Sequence, residues 1–238
     1  MSSDANKILF DEAGQAKTPG KIRKEIDAFA YKEAVHEIIC NSKGLDRGGE
    51  IFVKCTARIL SNFGMTRGGP FRGVGIKKNG SVSHKRLLLA CWEHIGRGLI
   101  EIRSAIPRSG YPRDRYLVEL GESELTELVA KIWYLTKQLL PFTMGETTYG
   151  LVGASKILFA VLPEIALPID NRQWLSVFKT VDLGDVIHAM VSEIQRWESK
   201  TGKRLNEMDR SRKLTTLPSV YNVMAMAARP GKWVVARV

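Results

Sequence analysis

The run Thr147-Thr148-Tyr149-Gly150-Leu151-Val152-Gly153-Ala154-Ser155-Lys156-Ile157-Leu158-Phe159-Ala160-Val161-Leu162-Pro163-Glu164-Ile165-Ala166-Leu167-Pro168-Ile169-Asp170-Asn171-Arg172 decides how the rest of the chain is read. Gly150 and Gly153 suggest a turn opening an apolar helix that Pro163 stops. Ala166 to Ile169 then reads as a short extended link. Asp170 stands where the next helix takes its N-cap, because a short acceptor side chain can bond the free N–H groups of a first turn. Helices are expected over 150–163 and 171–179. The glycine turn is expected to expose backbone N–H groups at a helix N-terminus, a natural phosphate seat, with Lys156 in the first turn.

Outward from this run the period stays helical. Lys21 to about Ser42 carries Ile22, Ile26, Phe29, Ala30 and Val35 on one stripe, and Glu50 to Phe63 turns Ile51, Cys55, Ile59 and Leu60 inward. Ser83 is placed to cap a helix reaching Ala105, with Leu87, Leu88, Cys91, Ile95 and Leu99 buried. Ser123 to Leu140, 184–199 and 216–228 complete the helical set. The Gly-rich stretch up to Gly80 reads as loop or as a short hairpin turning at Asn79-Gly80, and Tyr116-Leu117-Val118-Glu119-Leu120 is a candidate short strand. The fold class is therefore mainly α with at most a small β element. Residues 1–20 read as a polar leader, ordered in part through Ile8-Leu9-Phe10. Residues 21–238 read as a single helical domain, with basic Gly-rich loops over 65–115 and the decisive segment over 147–175.

Thirty-six Lys+Arg against 25 Asp+Glu give a net charge of +11 in 238 residues. That surplus favours a polyanionic partner, nucleic acid before membrane. Residues 65–115 hold eleven Lys/Arg against Glu93, Glu101 and Asp114, a net +8. Arg67, Arg72, Lys77 and Lys78 stand among glycines, which suits phosphate contact. Phe71, Tyr111, Tyr149 and Trp174 are candidates for stacking on a base or lining its pocket. A solvated basic face is the plain alternative. No run approaches the ~20 apolar residues of a membrane helix. Cys40, Cys55 and Cys91 are scattered and odd in number, so neither a disulfide framework nor a zinc site is expected, and a cytoplasmic setting is. No P-loop or dinucleotide fingerprint calls for a cofactor.

The pattern Gly-x-x-Gly-x-Ser-Lys, an apolar helix and then Pro-Ile-Asp-Asn-Arg resembles the hairpin and catalytic region of helix-hairpin-helix DNA glycosylases, closest to their short 8-oxoguanine-glycosylase-like relatives. The resemblance covers about 30 residues. It implies phosphate contacts at Gly150, Gly153 and Ser155, with Arg172 beside them. It implies Lys156 as the amine nucleophile of bifunctional members, and Asp170 as the carboxylate stabilising positive charge on the sugar. The implied activity is excision of a damaged or modified base by N-glycosidic cleavage, in DNA repair or in defence against modified foreign DNA. The chemistry is coherent: a carboxylate lowers the barrier to an oxocarbenium-like sugar, and a lysine attacks once its pKa is lowered. Two bland readings stand beside it. Asp170 caps a helix whatever the protein does, and Lys156 can snorkel from an apolar helix. The same charge map fits a non-catalytic nucleic-acid-binding helical protein.

Overall fold

The computed structural model describes residues 8–229, and within them the architecture is mainly α. Helices α1 (Pro19–Ala28), α2 (Lys32–Ser42) and α3 (Gly49–Asn62) precede an antiparallel ribbon, β1 (Gly75–Ile76) and β2 (Val82–Ser83). There follow α4 (Lys85–Ala105), the single turns α5 (Tyr111–Asp114) and α6 (Tyr116–Glu119), α7 (Glu122–Leu139) and α8 (Thr148–Val161). A short α9 (Asn171–Gln173) runs into a wider π-type turn at Trp174–Phe178. Helices α10 (Leu183–Thr201) and α11 (Leu217–Ala227) come last.

Helix α8 is the axis of the core. Every residue from Gly150 to Val161 is buried. A helix apolar on all sides has to be surrounded, and α2, α3 and α7 surround it. Helix α4 bridges α3 and α7, α10 lies along α7, and α1 lies on α11. The stripes of the sequence are where these contacts form: Ile22, Ile26, Val35, Cys55, Ile59, Leu60, Leu88, Cys91, Ile95 and Leu99 are all buried.

Three local expectations need correction. The stripe from Lys21 to Ser42 is two helices, because Phe29 leaves the helix at φ −73°, ψ 113°. Helix α1 docks on α11 while α2 docks on α3 and α8, and one straight rod cannot reach both. Residues 116–120 are not a strand. They close one helical turn that brings Arg115 and Glu119 to 3.3 Å, and among the described residues no neighbouring strand offers them a ladder. Ser83 does not cap α4. It sits in the ribbon and donates to the carbonyls of Gly73 (2.8 Å) and Gly75 (3.1 Å), while His84 precedes the helix in a left-handed conformation, φ 55°. The leader is ordered at Ile8-Leu9-Phe10, as the sequence suggests. Ile8, Leu9 and Phe10 are buried, Leu9 N–H donates to Glu193 Oε1 at 2.8 Å, and the Arg196 guanidinium lies 3.9 Å over the Phe10 ring. The polar start of that leader, residues 1–7, lies outside the described residues.

A buried ion triad ties the elements around the decisive segment. Glu164 stands just beyond α8 and accepts from Arg103 Nη1 of α4 (2.8 Å) and from Arg113 Nε of α5. Arg113 Nη2 also donates to the Ile39 carbonyl at 2.7 Å. All three charged side chains are buried, so their pairing has to be nearly complete for the fold to tolerate them.

Candidate functional site

The segment from Ser155 to Gln173 builds the site by local rules. Helix α8 starts at Thr148, whose preceding residue Thr147 accepts from Gly150 N–H at 3.1 Å. Lys156 therefore stands eight residues into the helix, in its third turn and not its first. Ser155 Oγ donates to the carbonyls of Val152 (3.1 Å) and Ile169 (3.2 Å), which pins the extended link against the helix. That contact brings Asp170 back to the side of α8 that carries Lys156. Asp170 adopts φ −95°, ψ 168°, and its Oδ1 accepts from Arg172 N–H at 3.1 Å. Gln173 Oε1 accepts from Asp170 N–H at 2.8 Å, completing a reciprocal cap. The N-cap expected from Pro168-Ile169-Asp170 is thus present.

Lys156 and Asp170 line one cleft of about 350 Å³. Tyr31, Asn62, Phe63, Gly64 and Arg67 also line it, as do Pro168, Gln173, Met226 and Arg229. The Tyr31 and Phe63 rings stack at 5.3 Å with 24° between planes, and Tyr31 remains 43% exposed, so an aromatic face is open at the rim. Lys156 Nζ lies 5.5 Å from the Phe63 ring centre. Among the described residues its ammonium has no hydrogen bond and no ion-pair partner within 4 Å. Burial brings the amine down to about 8; the Asp170 carboxylate pulls it back up, and the Arg229 guanidinium adds to the lowering. The second carboxylate oxygen of Asp170 pairs with Arg229 Nη1, while Arg229 Nε donates to the Met226 carbonyl at 3.0 Å.

The structure separates the other residues expected at the site. Gly150 and Gly153 are buried inside α8 and offer no phosphate seat. A Cβ on Gly150 would collide with the Gly145 carbonyl oxygen, and one on Gly153 would come within 2.8 Å of Thr143 Cγ2. These glycines let the 143–145 turn lie against the helix. Ser155 is likewise buried and structural. Phe71 and Trp174 are core side chains, with no face to stack on a base. Tyr149 and Tyr111 are exposed but do not line the cleft; the Tyr111 ring faces the guanidinium of Arg204 at 4.5 Å. Arg67 is exposed at the mouth of the cleft. Arg72 is exposed on a separate depression with His84 and Arg86, and Lys77 and Lys78 project from the ribbon. Arg172 is half-buried behind the cap.

The basic region also contracts. Of its cations, Arg103 and Arg113 are buried on Glu164, and Arg115 is held by Glu198 through two bonds of 2.8 Å. Among the described residues no group of three His, Cys, Asp or Glu side chains stands close enough to hold a metal ion, and no helix is long and apolar enough to cross a membrane. Compared with known proteins, the chain matches no family model, no curated protein and no solved structure. Two cleft residues, Tyr31 and Arg229, lie far along the chain from the decisive segment. Nothing in their local sequence marks them. Glu164 did carry a signal, as the lone charge between Ile157 and Ile169 in an otherwise apolar run.

Proposed function

We propose that this protein is a DNA-binding enzyme that excises a damaged or modified base by N-glycosidic cleavage, with Asp170 and Lys156 as its reacting groups and a role in repair or in defence against modified foreign DNA. One observation carries the reading. A buried amine with a lowered pKa and a carboxylate stand in one cleft, under an open aromatic rim and beside two arginines. The cleft's volume lies at the lower end of small-molecule sites, about 300 Å³ and upward.

The chemistry follows from those groups. A base swung out of the stack enters the cleft, with Tyr31 placed to stack on it. As the glycosidic bond breaks, its electron pair goes to the departing base, which takes up a proton. The sugar becomes cationic, and the Asp170 carboxylate stabilises that charge. Water, or the unprotonated amine of Lys156, then bonds to C1′. With a pKa of about 8, roughly a tenth of the amine is unprotonated at neutral pH, far more than for an ordinary lysine. The decisive experiment incubates the protein with duplexes carrying varied modified bases and adds borohydride. Released base, with a covalent protein–DNA adduct lost in Lys156→Ala, is the expected result. Base release without an adduct leaves water as the nucleophile.

A second reading has its own support. Asp170 spends one oxygen on the cap and the other on Arg229, as a purely structural residue would. On that reading the protein binds nucleic acid without catalysis. Salt-sensitive DNA binding with no base release from any duplex in the panel selects it.

A further inference from the structure

The cleft is electrostatically unbalanced. Its charged lining is Arg67, Lys156 and Arg229 against Asp170, three cations to one carboxylate, a net +2. Among the described residues the Arg67 guanidinium has no hydrogen-bond or ion-pair partner. Arg229 pairs with Asp170, and the pair is only partly shielded, with side chains 32% and 29% exposed. Arg229 follows the end of α11 and Arg67 follows α3, and both side chains line the same cleft. Two guanidinium groups in one undercompensated cleft present forked N–H donors to the oxygens of a phosphate.

We propose that Arg67 and Arg229 form an anion-binding rim that takes a phosphate group of the substrate, and that Arg229 leaves Asp170 to do so. This rests on the base-excision reading for the identity of the phosphate, a DNA phosphodiester, but not for the site itself. In the structure Arg229 Nη1 pairs with Asp170 Oδ2 and offsets the carboxylate's charge. A phosphate at the rim competes for the guanidinium. Its departure frees Oδ2 toward the cleft while Oδ1 keeps the cap to Arg172 N–H. The carboxylate is then uncompensated only when a phosphate-bearing ligand is in place, which couples binding to readiness for chemistry.

The test follows Lys156, which faces Asp170 and Arg229 across the cleft, with Arg67 the remaining described charge there. Lysines are reductively methylated with a ¹³C label, and the Lys156 signal, identified by its loss in Lys156→Arg, is titrated with pH by NMR. Arg229→Ala is expected to raise its pKa by about one unit, since a repelling cation goes and a carboxylate is unmasked. Inorganic phosphate added to the native protein should also raise it and move the Arg229 side-chain N–H resonance, with a much weaker effect in Arg67→Ala. An unchanged titration in Arg229→Ala overturns the latch. No response of Arg229 to phosphate overturns the anion rim. A duplex holding a tetrahydrofuran abasic-site analogue forms the last arm. A response to it matches phosphate delivery by DNA; a response to inorganic phosphate alone keeps the rim and removes the nucleic-acid reading.

Discussion

Lys156 sets a cost against a capability. Its folded pKa of about 8 lies below the ordinary 10.5, so the folded protein disfavours the charged amine. Below pH 8 both states are protonated and the full penalty is present; stability then rises with pH between about 8 and 10.5 as the unfolded chain keeps the proton longer. Lys156→Met removes the penalty while filling the same space. It should stabilise the protein on the order of 2 kcal/mol at pH 7, read by urea unfolding, and lose any borohydride-trapped adduct. A destabilised Lys156→Met protein would show that the amine is well solvated. Gly150→Ala should move the other way, by about 2 kcal/mol or more, because the added methyl meets backbone and not a yielding side chain. At this scale the sequence is legible where the cause is local. Asp170 caps its own helix within three residues. Gly150 and Gly153 read as a turn because close helix packing and loop geometry call for the same residue type, and the Gly145 and Thr143 contacts that decide between them come from tertiary structure.

The elements are held by two buried carboxylates whose roles differ. Glu164 is fully paired, and Glu164→Gln should cost about 3–5 kcal/mol by leaving two buried guanidinium groups short of charge, seen as a lowered urea midpoint. Glu193 clamps the strap at residues 8–10 through Leu9 N–H and receives the Tyr221 hydroxyl at 2.6 Å. Burial nevertheless pushes its carboxyl up to about 7, against those hydrogen bonds. Its folded pKa exceeds the unfolded 4.5, so the folded state holds the extra proton and stability falls as pH rises from about 4.5 to 7. Glu193→Gln should flatten that slope in unfolding curves measured across this window; an unchanged slope would place the titration elsewhere. Helix periodicity exposes the long elements, because one apolar stripe suffices to define each. It does not show the break at Phe29, which is imposed by two docking partners. Nor does it show that, among the described residues, 116–120 have no strand to pair with.

Across the whole molecule, net charge read along the chain overstates the binding face. Arg103, Arg113 and Arg115 count toward the +8 of residues 65–115, yet each is buried and paired. Sequence cannot tell an arginine that holds the fold from one that faces a partner. If DNA binds, the exposed set Arg67, Arg72, Lys77 and Lys78 should carry the counterion release. Changing Arg67, Arg72 and Lys77 together to Ala should flatten the dependence of affinity on salt by about 0.9 in log–log slope for each phosphate that is no longer neutralised. An unaltered slope would put the interface on another face.

Asp170→Asn tests, with the least disturbance, whether Asp170 acts on a reacting sugar as well as capping a helix. Asn caps about as well as Asp, so the cleft should persist, with unchanged helical circular dichroism and an unfolding midpoint shifted little. Only the negative charge goes. On a modified-base duplex that the native protein processes, single-turnover base release should fall by about 100-fold or more at undiminished DNA affinity. Base release at the native rate in a folded Asp170→Asn protein would leave Asp170 only its structural role as a helix cap.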